Sequence, residues 1–296
     1  MATVGVVKQP ARGVRGPIIL RWLRLARRFP LGAFGFVCIG LIVVMALTAP
    51  LVAPYSPTQV GTGLPLDGPS TDHWLGTDQL GRDLFSRLIY GSRVSIIVGV
   101  IAVGVAASIG VPVGLVAGYA GGWADVLLMR IVDAVIAFPS LILALAIVAT
   151  FGTGIEVVMV AIGVALMPQY ARIVRAQVLS VKGSDYVLAA KATGAPGVRI
   201  LLRHIAPNVW APVLVVATLG LANAVVAEAS LSFLGIGVKP PQPTWGNMLL
   251  DGFGQMQRRP AMSIAPGVAI FVLVLSFNFI GDTLRDALDP RLRGLR

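Results

Sequence analysis

At 296 residues the chain is 56% apolar and only 12% charged, with a mean hydropathy of +0.84. Soluble domains carry about 25% charged residues, so this deficit, with several uncharged runs longer than ~18 residues, excludes an ordinary soluble enzyme and places the chain in the membrane class. The net charge of +11 lies in segments flanking the apolar runs, a pattern of membrane topology rather than of nucleic-acid binding. The lone Cys38 sits in an apolar run, which leaves no disulfide within the chain and no thiol–metal site.

Residues 1–30 read as a basic cytoplasmic segment, with Lys8 and six arginines and no acid. Within it Leu20 to Phe29 has the pattern of a short amphipathic helix on the membrane surface. Residues 31–53 carry no charge and are longer than the ~7–15 residues of a secretory h-region, so they are read as a first transmembrane helix, ended by Pro50 and Pro54. Residues 54–93 are rich in Pro, Gly and Asp and are expected to form an extracytoplasmic connector. Asp78, Arg82, Asp83 and Arg87 alternate in sign at helical spacing beside Leu80, Leu84, Phe85, Leu88 and Ile89. That spacing predicts either a short helix in the outer interface or a solvated connector.

The second span begins at Val94. Ala106, Gly110, Gly114, Gly118 and Gly122 recur every fourth residue, a small-residue ridge that lets helix backbones pack closely. Asp125, Arg130 and Asp133 mark a short re-entry turn, and residues 134–155 a third span interrupted by Pro139. A fourth starts at Val157 and runs on through Arg172, Arg175 and Leu179. A fifth covers Ile205 to about Leu234 and a sixth Pro260 to Gly281, joined by a Pro- and Gly-rich connection in which Trp245 is an expected interface residue. Residues 94–284 thus form a core of five spans, with a cytoplasmic tail at 285–296. The expected fold is an all-α integral membrane protein with six transmembrane helices and both termini cytoplasmic. That orientation puts 18 of the 24 Lys and Arg residues inside, as the positive-inside rule requires.

No Gly-Lys dipeptide occurs, so the phosphate loop of an ATPase is absent; so are a Gly-x-Ser-x-Gly elbow, HExxH and any metal-spaced His/Cys cluster. His73 and His204 fall on opposite sides of the membrane in this topology. Glu228 is the one acid well inside an apolar run, close to Asn223, Ser230 and Ser232. It is read either as part of a polar translocation pathway with Asn223 and Ser230, or as a partly hydrated residue near the outer end of its helix.

The most informative stretch is the cytoplasmic loop 181–208, and within it Asp185 to Asn208, DYVLAAKATGAPGVRILLRHIAPN. Ala189, Ala190 and Gly194 permit close approach by a partner surface. Arg199, Arg203 and His204 supply polar contacts, and Pro207 and Pro212 stop or reset the helix at re-entry. The pattern predicts a docking element.

This loop resembles the EAA loop of binding-protein-dependent permeases, E-A-A-x3-G-x9-I-x-L-P. The chain keeps Ala189, Ala190, Gly194 and Pro207 and departs at Leu188, His204 and Ala206; an upstream Asp185-Tyr186 pair matches the peptide-type subfamily. HWLGTDQLGRDLFSRLIYGSRVS, GLVAGYAGGWAD, MRIVDAVIAFPSLILA, SFLGIGVKPPQPTWGNML and FNFIGDTLRDALDPRLR extend the resemblance from about His73 to Arg293. The chain is thereby identified as similar to the C-type permease subunits of dipeptide and oligopeptide ABC importers, with nickel and glutathione importers as alternatives.

The resemblance implies a type I importer permease fold in the bacterial inner membrane and a non-catalytic chain that binds no cofactor. Its implied partners are a homologous B-type permease, two ABC ATPase domains that bind ATP and Mg, and an extracytoplasmic peptide-binding protein. It also implies that Asp185 to about Ala195 docks on an ATPase domain, with Asp185 as a substitute for the acid missing at Leu188. From other classes, a stand-alone secondary transporter would show internal repeats and midplane charges, and an intramembrane enzyme a nucleophile–base constellation. Neither pattern is evident.

Overall fold

A computed structural model describes residues 28–288. The expected surface helix at Leu20 to Phe29 and the last residues of the tail fall largely outside that range.

The described residues form helices and connecting loops. They run α1 (Pro30–Leu47), α2 (Ala49–Val52), α3 (Leu84–Ala120), α4 (Gly122–Ile136), α5 (Ser140–Phe151), α6 (Ile155–Lys182), α7 (Asp185–Ala192), α8 (Gly197–Arg199), a π-helical segment (Ile200–Ile205), α9 (Ala206–Phe233), α10 (Trp245–Phe253) and α11 (Ala261–Leu288). Five helical runs are long and apolar enough to cross a membrane, and a bent pair makes a sixth. At 1.5 Å per residue the 37-residue α3 is about 55 Å long, so it outruns a ~30 Å hydrocarbon core.

Helices in lipid gain nothing from hiding apolar surface from water, so the bundle depends on close packing. The expected ridge supplies it. A Cβ on Gly110 would lie 2.6 Å from the Met167 carbonyl oxygen, one on Gly114 2.7 Å from Val174 Cβ, and one on Gly118 2.8 Å from Val178 Cβ. Ala106 is fully buried on the same face. Helix α6 answers with Gly163, where a Cβ would meet Val105 at 2.7 Å. Gly122 is not part of the ridge: it stands in open space at φ +53° and starts α4.

Helix directions follow from contacts. Gly32 of α1 abuts Thr283 of α11, and the Arg93 guanidinium reaches the Ala46 carbonyl from the opposite end of α3. The two ends of the described chain therefore lie at one end of the bundle, with the C-terminus of α3 and with α7. The loops 53–83 and 234–260 cap the other end.

Four expectations need correcting. The third span breaks at Pro139 as expected, with α4 and α5 meeting at 86° across Ala137–Pro139, but its first limb begins at Gly122 rather than Ala134, so Asp125, Arg130 and Asp133 belong to the 15-residue α4 and not to a turn. No interfacial helix spans Asp78–Ile89: Asp78 to Asp83 is a turn, and Leu84 onward is the start of α3. Trp245 is fully buried rather than at the lipid interface, its indole N–H donating to the Leu88 carbonyl at 3.0 Å. Gly91 leaves the ring its space, since a Cβ there would lie 2.9 Å from Trp245 Cδ1. The last helix continues to Leu288, past the expected tail boundary.

Candidate functional site

The α6–α9 connection is built to hold one short helix off the end of the bundle. Val187 and Leu188 both donate their amides to the Ser184 carbonyl at 3.0 Å, which starts α7. At its other end Ala195 N–H donates to Ala190 O and Gly194 N–H to Lys191 O, both at 3.1 Å. That pair of bonds is a Schellman stop, and it needs the left-handed residue that Gly194 provides at φ +79°. Pro207 lacks an amide proton and its ring crowds the Arg203 carbonyl; the widened π-turn Ile200–Ile205 lies where that clash would fall.

Val187, Ile200 and Ile205 are buried and anchor the element, and Ala190 packs against the same core. Ala190 thus faces its own chain rather than a partner. Outward the element presents Tyr186, Leu188, Ala189, Val198 and Leu202, flanked by the exposed charges Asp185, Lys191, Arg199 and Arg203. Asp185 lies in the first turn of α7, where a carboxylate is favoured by the helix dipole. The two limbs of the loop are clasped by Tyr186, whose hydroxyl donates to the His204 carbonyl at 3.3 Å. Asn208 Nδ2 donates to Tyr186 Oη at 3.1 Å and to that same carbonyl at 2.8 Å. Beneath, Lys182 Nζ donates to the Tyr119 carbonyl at 2.5 Å and stands 5.5 Å from the Tyr119 ring. A cavity of about 410 Å³ remains between α7 and the end of α3, lined by Tyr119, Lys182, Leu188 and Lys191 among others. Sequence reasoning missed Tyr119, which only the fold brings to the loop, and gave no role to Lys182 and Asn208, whose partners are visible only in the structure.

A second cavity, of about 270 Å³, opens between α5, α6 and α9. Its polar residues are Ser140, Gln169, Asn223 and Ser230. Asn223 and Ser230 are seven residues apart and so share one face of α9.

These features sit in a chain with clear relatives. The family model for the inner membrane component of binding-protein-dependent transport systems matches residues 110–294, and that for the N-terminal transmembrane domain of oligopeptide transport permease C matches residues 19–69. The chain belongs to this permease family. It is 43% identical over 263 residues to the dipeptide transport system permease protein DppC of Alkalihalophilus pseudofirmus, covering 89% of this chain and 86% of that one. To the glutathione transport system permease protein GsiD of Escherichia coli O157:H7 it is 42% identical over 282 residues, covering 95% and 93%. Among solved structures, the MetNI methionine ABC transporter in its inward-facing native crystal form matches with a TM-score of 0.58 at 20% identity, over 70% of this chain and 98% of that chain. A second crystal form gives 0.57 at 19% identity, over 69% and 96%. At such identities the likeness is one of fold. The protein is a multi-pass permease subunit of an ABC importer in the inner membrane.

Glu228 does not share the permease's second cavity. It is fully buried on another face of α9, and Ser232 Oγ donates to its Oε1 at 2.8 Å. The partly hydrated alternative fails on the same observation. Ser232 Oγ also accepts from the Val238 amide at 3.4 Å, so this polar knot ties α9 to the loop that follows.

At that end of the bundle a second cluster binds the connector to α10. Asp78 accepts from Arg82 Nε at 2.5 Å and faces Arg87 Nε at 3.6 Å, while Asp251 of α10 stands 3.5 Å from Arg82 and 3.6 Å from Arg87. Alongside, Asp83 accepts from the Ser86 amide at 2.7 Å and meets His73 Nδ1 at 3.0 Å. The alternating charges of the sequence are therefore an internal staple rather than part of an interfacial helix or a solvated connector. His73 and His204 stand at opposite ends of the bundle.

Proposed function

We propose that this permease forms half of the translocation pathway of an ATP-driven importer of short peptides, and that α7 couples it to an ATPase subunit. The observation that carries the reading is α7 itself. An eight-residue helix is held at both ends by transmembrane helices, α6 directly and α9 through the π-segment; it exposes Tyr186 and Leu188, and the segment after it exposes Val198 and Leu202, with basic residues around them. A partner that presses on α7 displaces the ends of two long helices. ATP then acts by favouring one of two packings, which requires different contacts with α7 in each.

In this reading Asp185, Tyr186, Ala189, Arg199 and Arg203 meet the ATPase, while Ala190, Gly194, His204 and Pro207 shape the element. ATP and Mg belong to the ATPase subunits, a homologous permease faces this one, and an extracytoplasmic binding protein delivers cargo to the far end. Both termini lie on the cytoplasmic side, supported by the excess of Lys and Arg at the α7 end and by the convergence of both chain ends there. Peptide cargo is supported by the likeness to the dipeptide and glutathione permeases; glutathione, itself a tripeptide, falls in the same class.

The test is co-purification and uptake. Expressed with its ATPase, partner permease and binding protein, the chain should purify as a complex and import labelled peptide only with ATP. Transport by this chain without ATPase subunits would overturn the reading.

A further inference from the structure

The cavity between α5, α6 and α9 has a chemistry that the fold alone does not require. Its wall is three clean helix faces: Ser140, Leu141 and Ala144 on α5; Ile162, Ala165, Leu166 and Gln169 on α6; Asn223, Val226, Ala227 and Ser230 on α9. No ionisable side chain lines it. Ser230 is already satisfied, its hydroxyl donating to the Val226 carbonyl at 2.8 Å. Gln169 and Asn223 are exposed to the cavity side and have no hydrogen-bond partner within the described residues.

We propose that this uncharged wall contacts cargo, with the Gln169 and Asn223 amides hydrogen-bonding peptide groups of the passing substrate. A primary amide offers two donors and a carbonyl acceptor, the same functions a peptide bond presents in reverse. A wall without charge supplies no counter-ion, so it gives no advantage to an acidic or a basic side chain, whose burial beside it would be costly. It recognises what all peptides share and leaves selection to other subunits. At about 270 Å³ the cavity is smaller than the ~300–1,000 Å³ of a complete ligand site, as expected if a facing permease closes it. The inference rests on the peptide-importer reading above and adds to it which residues touch cargo and how.

The test uses the whole transporter in proteoliposomes, with Cys38→Ser removing this chain's only native thiol and labelling read on this chain alone. Gln169→Cys and Asn223→Cys are treated with membrane-impermeant methanethiosulfonates, and Val225→Cys, at a fully buried position of α9, serves as control. Both wall thiols should react about tenfold faster than the control, because only a hydrated thiol ionises readily, and reaction should stop uptake. In a second arm Asn223→Asp and Gln169→Glu are assayed with Ala-Ala, Ala-Glu and Ala-Lys. Uptake of Ala-Glu should fall about tenfold relative to Ala-Lys, through repulsion in a poorly screened site.

Inert thiols, or modified thiols with undiminished uptake, overturn the inference even if dipeptides are imported. If the unmodified transporter imports neither the three dipeptides nor glutathione, the peptide reading fails separately. Labelling then still decides whether the wall is water-lined.

Discussion

Gly114 lies against the backbone of Ala171 with no room for a side chain between them. Gly110 is likewise pressed on the Met167 carbonyl and Gly118 on the Val178 side chain, so one edge of α3 is seated directly on α6. This contact is the rigid spine that connects the ridge to α7, because α6 runs without interruption from the cavity wall at Gln169 to Lys182 at the loop.

Gly114→Leu should therefore damage the bundle more than a similar change at an exposed position such as Gly104, which has open space around it. Overpacking of this kind costs about 1–3 kcal/mol where neighbours yield, and more where the obstacle is backbone, as here. Thermal unfolding in detergent should place Gly114→Leu well below wild type and Gly104→Leu near it. Equal midpoints would mean the ridge is not the main contact.

Gly194 has a different requirement. Space is open around it, so size alone should not matter; backbone conformation should. A β-branched residue forced to left-handed φ costs roughly 1–2 kcal/mol, whereas asparagine tolerates it better. Gly194→Val should leave membrane insertion intact but lower ATP-driven uptake by about tenfold, the equivalent of ~1.4 kcal/mol, with Gly194→Asn close to wild type. Comparable loss for both variants would indicate contact with a partner rather than the helix stop as the reason for glycine.

The ridge and the loop were legible in the sequence because each depends on local spacing: small residues every fourth position, and a glycine two residues past an Ala-rich turn. Six runs and their approximate positions were legible for the same reason. What the sequence hid was decided by long-range contacts. Trp245 reads as an interface residue until Gly91 is seen to make space for it 154 positions earlier. Asp78, Arg82 and Arg87 read as an interfacial helix or a solvated connector because Asp251, which pairs with both arginines, lies far along the chain. Periodicity alone separates the face of α9 bearing Asn223 and Ser230 from that of Glu228. Nothing in one sequence, however, states which face meets a cavity.

The staple at the far end should make stability depend on pH. Burial raises the Asp251 carboxyl above its ordinary 3.8, Arg87 and Arg82 pull it back, and Asp78 raises it further. A raised folded-state value means the folded chain holds the proton more tightly than the unfolded chain. Stability is then greatest below 3.8 for this group and is lost as pH rises through the window up to the folded value. The side chain is 41% exposed, so the effect should be small. Asp251→Asn should flatten this component of the melting temperature in the acid range above pH 3.8. An unaltered pH profile in the variant would assign the dependence to other groups.

Glu228 offers the sharpest separation of packing from transport. Its carboxyl is fully buried with Ser232 as a hydrogen-bond donor, and it faces away from the cavity that Asn223 and Ser230 share. Glu228→Gln keeps the shape and an acceptor oxygen for Ser232, so both uptake and melting temperature should remain near wild type. Glu228→Ala removes the acceptor and leaves a buried hydroxyl unpaired, which costs about 1–3 kcal/mol. Its melting temperature should fall, while the uptake rate per folded complex should hold. A drop in uptake for Glu228→Gln at unchanged stability would return this residue to the pathway and contradict the geometry of α9.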